Sequence, residues 1–266
     1  MHSSCYDTSM KKTQPAVVIG NWKMNPVSLA EAKKTFLAIR KKSRSFGEVS
    51  VVLAPPVVYL SELAKLSVSG RVQVGVQNIW FESAGAQTGE VSVPMVQSCG
   101  ANYVIIGHSE RRANGETDDM VQAKYRAVMS AKLTPVVCIG EQARDDAGSF
   151  YSTIESQLKS CFSQAKKAEV KRTIIAYEPI WAIGSGTTPS AEDIQEMRLF
   201  IDKCLINLFD RDTARKVKVL YGGSVSDENA GSLYQAAGID GFLVGGASLR
   251  PESFVGIVQA VQKLAK

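Results

Sequence analysis

The acid–base chemistry that this sequence could support centres on one glutamate, Glu178. It ends the apolar run IIAY and precedes Pro179-Ile180-Trp181. A carboxylate among apolar neighbours tends to have a raised pKa, which makes it a better general base near neutral pH. The same position would also suit a glutamate in a structural salt bridge, so this residue alone leaves both interpretations open.

Two further polar side chains, His108 and Lys23, also follow apolar runs. His108 comes before Ser109-Glu110, which could start a short helix whose N-terminus would keep the imidazole neutral. Lys23 ends the first of these runs and, in a barrel, could place a cation at the mouth. The alternatives are a core histidine and a solvated lysine, which are the commoner situations for such residues taken singly.

Glycine pairs follow the last two apolar runs, in Gly222-Gly223-Ser224 and in Gly245-Gly246. Glycine lets backbone N–H groups approach an anion closely, so these turns could bind a phosphate, although they would also suit ordinary tight turns. Small residues also occur at Ile183-Gly184-Ser185-Gly186. We interpret that segment as the tip of a lid hinged beside Glu178, the alternative being an ordinary loop.

These residues must be positioned by a chain that repeats one pattern eight times. Short β-branched apolar runs alternate with helix-like stretches, which predicts parallel βαβ units. Helix signals include the 3.6-residue apolar rhythm of residues 28–42, a possible N-cap at Ser190 followed by Asp193, and Pro251 in a first turn. The runs begin near Ala16, Val49, Val72, Tyr103, Thr134, Thr173, Val217 and Asp240.

The repeat predicts an α/β fold with a single (β/α)8 TIM barrel over residues 15–266, preceded by a flexible N-terminal extension at residues 1–14. An open doubly wound sheet is the structural alternative, but Gly20-Asn21-Trp22-Lys23 after the first run contains no G-x-G-x-x-G turn. In a barrel the residues that follow the strands meet at one mouth. They are Asn21, Lys23, Gln77, Asn78, His108, Ser109, Glu141, Glu178 and the two glycine pairs.

Composition narrows the class of protein. The net charge of +5, from 31 Lys+Arg against 26 Asp+Glu, is too mild and scattered to predict nucleic-acid binding. No run approaches the roughly 18 apolar residues of a membrane span. The five cysteines form no close pairs, which favours a reducing, cytoplasmic location. With only His2 and His108, a metal site built on histidines is not expected.

Taken together, six stretches of this chain resemble the triosephosphate isomerase family. They occur in order along most of the sequence, and six in order is a specific match. The stretches are GNWKMN at 20–25, GHSERR at 107–112, CIGE at 138–141, AYEPIWAIGSG at 176–186, YGGSV at 221–225 and GG at 245–246.

The resemblance implies an intramolecular aldose–ketose isomerase that interconverts dihydroxyacetone phosphate and D-glyceraldehyde 3-phosphate through an enediol(ate), in glycolysis and gluconeogenesis. Glu178 would be the base, His108 would polarise the carbonyl and Lys23 would stabilise negative charge, without cofactor or metal. The implied substrate-binding residues are Asn21, Lys23, Gly184, Ser185, Ser224, Gly245 and Gly246.

The resemblance also implies a homodimer. Its contact would be the loop 79–91, which begins at Ile79 and ends at Val91, with Thr88 against the partner's active-site region. The chain departs from the family pattern at three places: a short lid end at Thr187-Thr188-Pro189, a short turn at Ala113-Asn114, and Lys132 where glycine is common. None of these removes a candidate catalytic group.

Two rival functions remain open at this point. A Schiff-base aldolase would use Lys23, the one lysine placed at the mouth, but no partner that would hold it neutral is evident in the sequence. A catalytically silent barrel that acts as a binding module would have no need of Glu178, His108 and Lys23 together. Turnover of glyceraldehyde 3-phosphate and borohydride trapping separate these possibilities.

Overall fold

Eight parallel strands close into a ring in which each strand pairs with the next along the chain and the last pairs with the first. The computed structural model describes residues 15–67, 71–182 and 189–265. The strands are β1 (Val17–Asn21), β2 (Ser50–Ala54), β3 (Val72–Val76), β4 (Tyr103–Ile106), β5 (Thr134–Ile139), β6 (Ile174–Tyr177), β7 (Lys218–Tyr221) and β8 (Gly241–Val244).

Helices surround this ring and connect successive strands. The α-helices are α1 (Leu29–Lys41), α2 (Val57–Leu66), α3 (Val93–Ser98), α4 (Ser109–Ala113), α5 (Asp118–Ser130), α6 (Ser149–Phe162), α7 (Lys167–Val170), α8 (Ala191–Leu208), α9 (Arg211–Lys216), α10 (Ala230–Ala236) and α11 (Pro251–Leu264). Short 3₁₀ helices lie at Ser43–Phe46, Ile180–Ala182 and Gly246–Leu249. Among the helices that the structure describes, none has the length and apolar character needed to cross a membrane.

The predicted (β/α)8 barrel is confirmed, and every strand begins within one residue of its predicted start. Predicted helix signals also hold. Ser190 caps α8 in a capping box, because its Oγ accepts from the Asp193 N–H at 3.0 Å and the Asp193 carboxylate accepts from the Ser190 N–H at 2.9 Å. The extension at residues 1–14 lies outside the described residues, so its flexibility stays a prediction.

Strand residues divide between two apolar clusters. One cluster fills the inside of the ring and includes Val17, Ile19 and Leu220. The residues that alternate with them, such as Val18 and Val219, pack outward against the helices. Since both faces of every strand are buried, the continuous apolar runs in the sequence are what such a parallel sheet requires.

Lys132 has a left-handed backbone, with φ of +61°, directly after α5. The helix ends there in a Schellman turn, in which the Lys132 N–H donates to Met129 O at 3.0 Å and the Leu133 N–H donates to Val128 O at 3.2 Å. A residue with a Cβ pays a steric penalty in this conformation, whereas glycine does not.

We expect Lys132→Gly to raise the free energy of unfolding by about 0.5–1 kcal/mol, because relief of the left-handed strain exceeds the freedom that glycine adds to the unfolded chain. Urea denaturation followed by circular dichroism measures this change. Lys132→Ala is the control, since it keeps the penalty and should bring no gain. A glycine variant no more stable than the alanine variant would contradict the explanation.

Candidate active site

A cavity of about 520 Å³ opens at the carboxyl ends of the strands, where the sequence predicted a shared mouth. It brings together positions that are more than two hundred residues apart in the chain. Its walls include Asn21, Lys23, His108, Glu178, Gly222, Gly223, Ser224, Leu243, Gly245 and Gly246. Every described residue that was expected to be catalytic or to bind the substrate therefore lines one cavity, whereas Gln77, Asn78, Ser109 and Glu141, also expected at the mouth, do not line it.

Glu178 follows β6 and is almost fully buried, with 3% of its side chain exposed. Its Oε2 accepts from the Ser109 N–H at 2.9 Å, and its Oε1 lies 3.1 Å from His108 Nε2. Burial raises the pKa of Glu178, and His108, the Ser109 amide and Lys23 oppose this shift without cancelling it. Glu178 is therefore a stronger base than an exposed glutamate, and its contacts with Ser109 and His108 hold the carboxylate in one orientation.

Glycine is needed around this carboxylate. A Cβ at Gly222 would lie 2.8 Å from Glu178 Cγ, and a Cβ at Gly140 would collide with the Glu178 carbonyl. These close approaches let the backbones of neighbouring strands crowd the glutamate, which excludes water from its sides.

His108 is the N-cap residue of α4, as the sequence predicted for a histidine at a helix start. Its Nδ1 accepts from the Glu110 N–H at 3.2 Å, so Nδ1 carries no proton. With Nδ1 as an acceptor, the proton of the ring is on Nε2, the nitrogen that lies 3.1 Å from Glu178 Oε1. An N–H at this place can donate to an oxygen of a bound molecule.

Lys23 lies at the mouth of the cavity rather than free in solvent. Its Nζ is 2.6 Å from Glu110 Oε1, and about a third of its side chain is exposed. The Asn21 side chain, which is buried, accepts from the Lys23 N–H at 3.0 Å. Asn21 thus orients the segment that carries the cation.

The glycine pairs also line the cavity, next to Glu178 and Lys23. Gly223 has no room for a side chain, since a Cβ there would collide with the Tyr221 hydroxyl. Gly245 lies close enough that its Cβ would be 3.5 Å from Lys23 Cε, and Gly246 begins a short 3₁₀ helix. Ser224 lines the cavity as well. Gly184 and Ser185 of the predicted lid tip lie outside the described residues.

Glu141 was expected at the mouth because it follows β5, but it belongs to a neighbouring buried cluster. Its Oε1 accepts from the Tyr177 hydroxyl at 2.7 Å and from the Trp181 indole N–H at 2.8 Å. Arg144 lies 3.3 Å from the same oxygen. Glu141 therefore anchors the segment that follows Glu178 instead of facing the cavity.

The sequence did not mark one buried ion pair that supports His108. Glu116 and Lys124 are fully buried and 2.8 Å apart, and Glu116 Oε1 accepts from the Gly107 N–H at 2.9 Å. Burial alone would raise the pKa of Glu116, but Lys124, the Gly107 amide and Arg111 outweigh it and lower the pKa. The short turn at Ala113-Asn114 therefore still brings Glu116 to the backbone of Gly107, the residue before His108. Only the fold shows that these two residues are buried.

In the part of the chain that the structure describes, no group of three or more His, Cys, Asp or Glu side chains could hold a metal ion. The residues that line the cavity include a carboxylate at Glu178, an imidazole at His108 and an ammonium at Lys23. Such a set can move a proton at carbon and stabilise negative charge on oxygen.

Comparisons with known proteins show similarity to one family over most of the chain. The sequence model described as "Triosephosphate isomerase" matches residues 16–261. The chain is 41% identical over 247 residues to a protein of Marinobacter nauticus with that name, covering 92% of this chain and 96% of the relative. It is 41% identical over 248 residues to the Rhodopirellula baltica protein so named, covering 92% and 96%, and 38% over 245 residues to that of Endomicrobium trichonymphae, covering 91% and 97%.

The raised pKa of Glu178 has a consequence for stability. The folded protein holds this proton more tightly than the unfolded chain does. That difference contributes stability below the ordinary glutamate pKa of about 4.3, and the contribution is lost as pH rises through the folded value. Ionised Glu178 is therefore a destabilising group near neutral pH.

We expect Glu178→Gln, which cannot ionise, to gain stability relative to the parent chain as pH rises from about 4 to about 7. Urea denaturation at several pH values measures the difference in unfolding free energy. Glu155→Gln on the exposed face of α6 is the control and should show no comparable rise. A difference that does not change with pH would remove burial as the cause.

Proposed function

The chain belongs to the triosephosphate isomerase family and interconverts dihydroxyacetone phosphate and D-glyceraldehyde 3-phosphate, and we propose that Glu178, His108 and Lys23 are its catalytic residues. The observation that carries this proposal is the buried Glu178 carboxylate, 3.1 Å from Nε2 of His108, whose Nδ1 accepts a backbone N–H, in a cavity that Lys23 borders.

Glu178 takes a proton from the carbon next to the carbonyl and leaves an enediolate. The His108 Nε2–H donates to the developing oxyanion and moves protons between the two oxygens, while the Lys23 ammonium stabilises the negative charge. Glu178 then gives the proton to the former carbonyl carbon, which regenerates the carboxylate and leaves the isomeric product. The raised pKa of Glu178 suits a base that must both take and return a proton.

The phosphate group is bound on the glycine side of the cavity in this proposal. Backbone N–H groups near Ser224, Gly245 and Gly246 surround the anion, and Gly184 and Ser185 approach from the lid. Asn21 supports Lys23 and orients the substrate oxygens. Proton transfer needs only a base and electrostatic stabilisation, so we propose that no cofactor or metal takes part.

A Schiff-base aldolase is the weaker candidate for the same cavity. A nucleophilic lysine must be neutral, whereas Lys23 is ion-paired with Glu110 at 2.6 Å. Borohydride reduction in the presence of substrate distinguishes the isomerase from the aldolase, because covalent trapping of substrate on Lys23 supports only the aldolase.

We also propose that the chain forms a homodimer through the loop 79–91. Its base is closed where the Trp80 N–H donates to Val91 O at 2.8 Å, while residues 82–90 are all exposed. Met24 and Val27, which follow Lys23, are 92% and 89% exposed and offer an apolar surface at the same end of the barrel. A cytoplasmic location is part of the proposal, and it is supported by the free cysteines 99, 138, 161 and 204.

Glu178→Asp is expected to lower kcat by about 10²-fold or more, because the shorter side chain withdraws the base by about 1 Å from the carbon. A coupled assay of glyceraldehyde 3-phosphate turnover measures the loss. Glu155→Asp makes the same chemical change on the surface and should leave kcat unchanged. Unaltered turnover in Glu178→Asp would exclude Glu178 as the base.

Thr88→Arg is expected to shift the chain from the mass of two copies toward that of one, since a bulky charge at the exposed loop tip cannot enter a closed interface. Size-exclusion chromatography with light scattering measures the mass over a dilution series. Thr153→Arg, on the exposed side of α6, should leave it unchanged. An unaltered mass for Thr88→Arg would exclude this loop from the interface.

A further inference from the structure

The backbone of Lys23 is left-handed, with φ of +53°. Because a residue with a Cβ is strained in this region, the surroundings must hold it there. Such strain is notable in the residue that carries the cation of the site. The direction of the ammonium depends on which groups fix the two peptide units that flank the Lys23 Cα.

Gln77, which follows β3, holds the carbonyl side of Lys23. Its Nε2 donates to Lys23 O at 2.9 Å and to Ala54 O at 2.8 Å, so both hydrogens of one amide are used. On the other side, Asn21 accepts from the Lys23 N–H. Gln77 does not itself line the cavity. Of its two partners, only Lys23 lines the cavity, so Lys23 is the direct route by which Gln77 can affect the reaction.

The next residue, Asn78, is connected by hydrogen bonds to the backbone that carries His108. Its Oδ1 accepts from Lys124 Nζ at 2.7 Å, and Lys124 pairs with Glu116, which holds the Gly107 amide directly before His108. Gly107 also has a left-handed backbone, with φ of +70°. The end of β3 thus contacts the supports of both groups that would stabilise charge on the substrate.

We propose that Gln77 is a positioning residue for Lys23. By holding the strained Lys23 carbonyl against β2, it keeps the ammonium directed at the developing oxyanion. This inference rests on the proposed function and adds a residue that touches neither the substrate nor the reacting atoms. The competing explanation is a purely structural role, in which Gln77 only joins the ends of β1 and β2 through Ala54.

A double-mutant cycle separates these explanations. Gln77→Met keeps the length of the side chain and removes both hydrogen bonds. In the full chain we expect kcat/KM to fall about 10- to 100-fold, with a lower kcat and a higher KM, because Lys23 is misdirected by a fraction of an ångström to about 1 Å. In a Lys23→Ala background the same change should alter kcat/KM less than about twofold, since the group it positions is gone.

Gln97→Met is the matched control. Gln97 is exposed on α3 and donates to Ala131 O at 3.0 Å, away from the cavity. It should leave kcat/KM unchanged in both backgrounds. Melting temperature and solution mass are recorded for each variant, and Gln77→Glu, which also lacks both donors, repeats the cycle if the methionine variant does not fold.

Equal losses in the two backgrounds, or no loss in the full chain, would overturn the positioning role. Those results leave the proposed function intact as long as Lys23→Ala itself lowers turnover. If Lys23→Ala has no effect, the proposed role of Lys23 fails instead. The two failures are therefore distinguishable within one set of measurements.

Discussion

The burial of one carboxylate beside the His108 imidazole is the constraint on which the rest of this site depends. Glu178 is shielded from water by glycine-lined backbones at positions 140 and 222, and it keeps one amide donor, Ser109. Removing water raises its pKa and makes it a base, but the same burial destabilises the ionised folded state. The barrel must supply that free energy through its two apolar clusters, which are large because both faces of the sheet are covered.

The cavity also depends on backbone conformations that the chain does not adopt without help. Lys23 and Gly107 are both left-handed, and each is fixed by side chains from another strand or loop. Glu116 and Lys124 illustrate how this is done. A fully buried ion pair is weak evidence for stability, yet the carboxylate uses its second oxygen to hold a main-chain amide. We infer from this contact that the pair serves to position the Gly107 backbone.

The polar clusters around the cavity have separate tasks because of where their strands end. Glu141 follows β5 as Glu178 follows β6, but it turns to Tyr177, Trp181 and Arg144. It thereby secures the segment after Glu178 and leaves the interior of the mouth to the groups that would meet substrate. The residue type at a strand end therefore does not by itself identify a site residue. The folded structure decides whether that side chain points into the cavity or toward a neighbouring segment.

Much of the fold could be read from the sequence, because short apolar runs, caps such as Ser190 and glycine pairs act locally and keep their meaning in any context. The same is true of Glu178, His108, Lys23 and the glycine turns as candidates. The distances between these residues, the ring nitrogen of His108 that faces Glu178, and the burial of each side chain could not be predicted from the sequence. Nothing local marks Glu116 and Lys124 as buried, Glu141 as turned away, or Gln77 as holding Lys23. Those facts follow from the closure of eight strands into a ring, which sets neighbours by spatial packing and not by order along the chain.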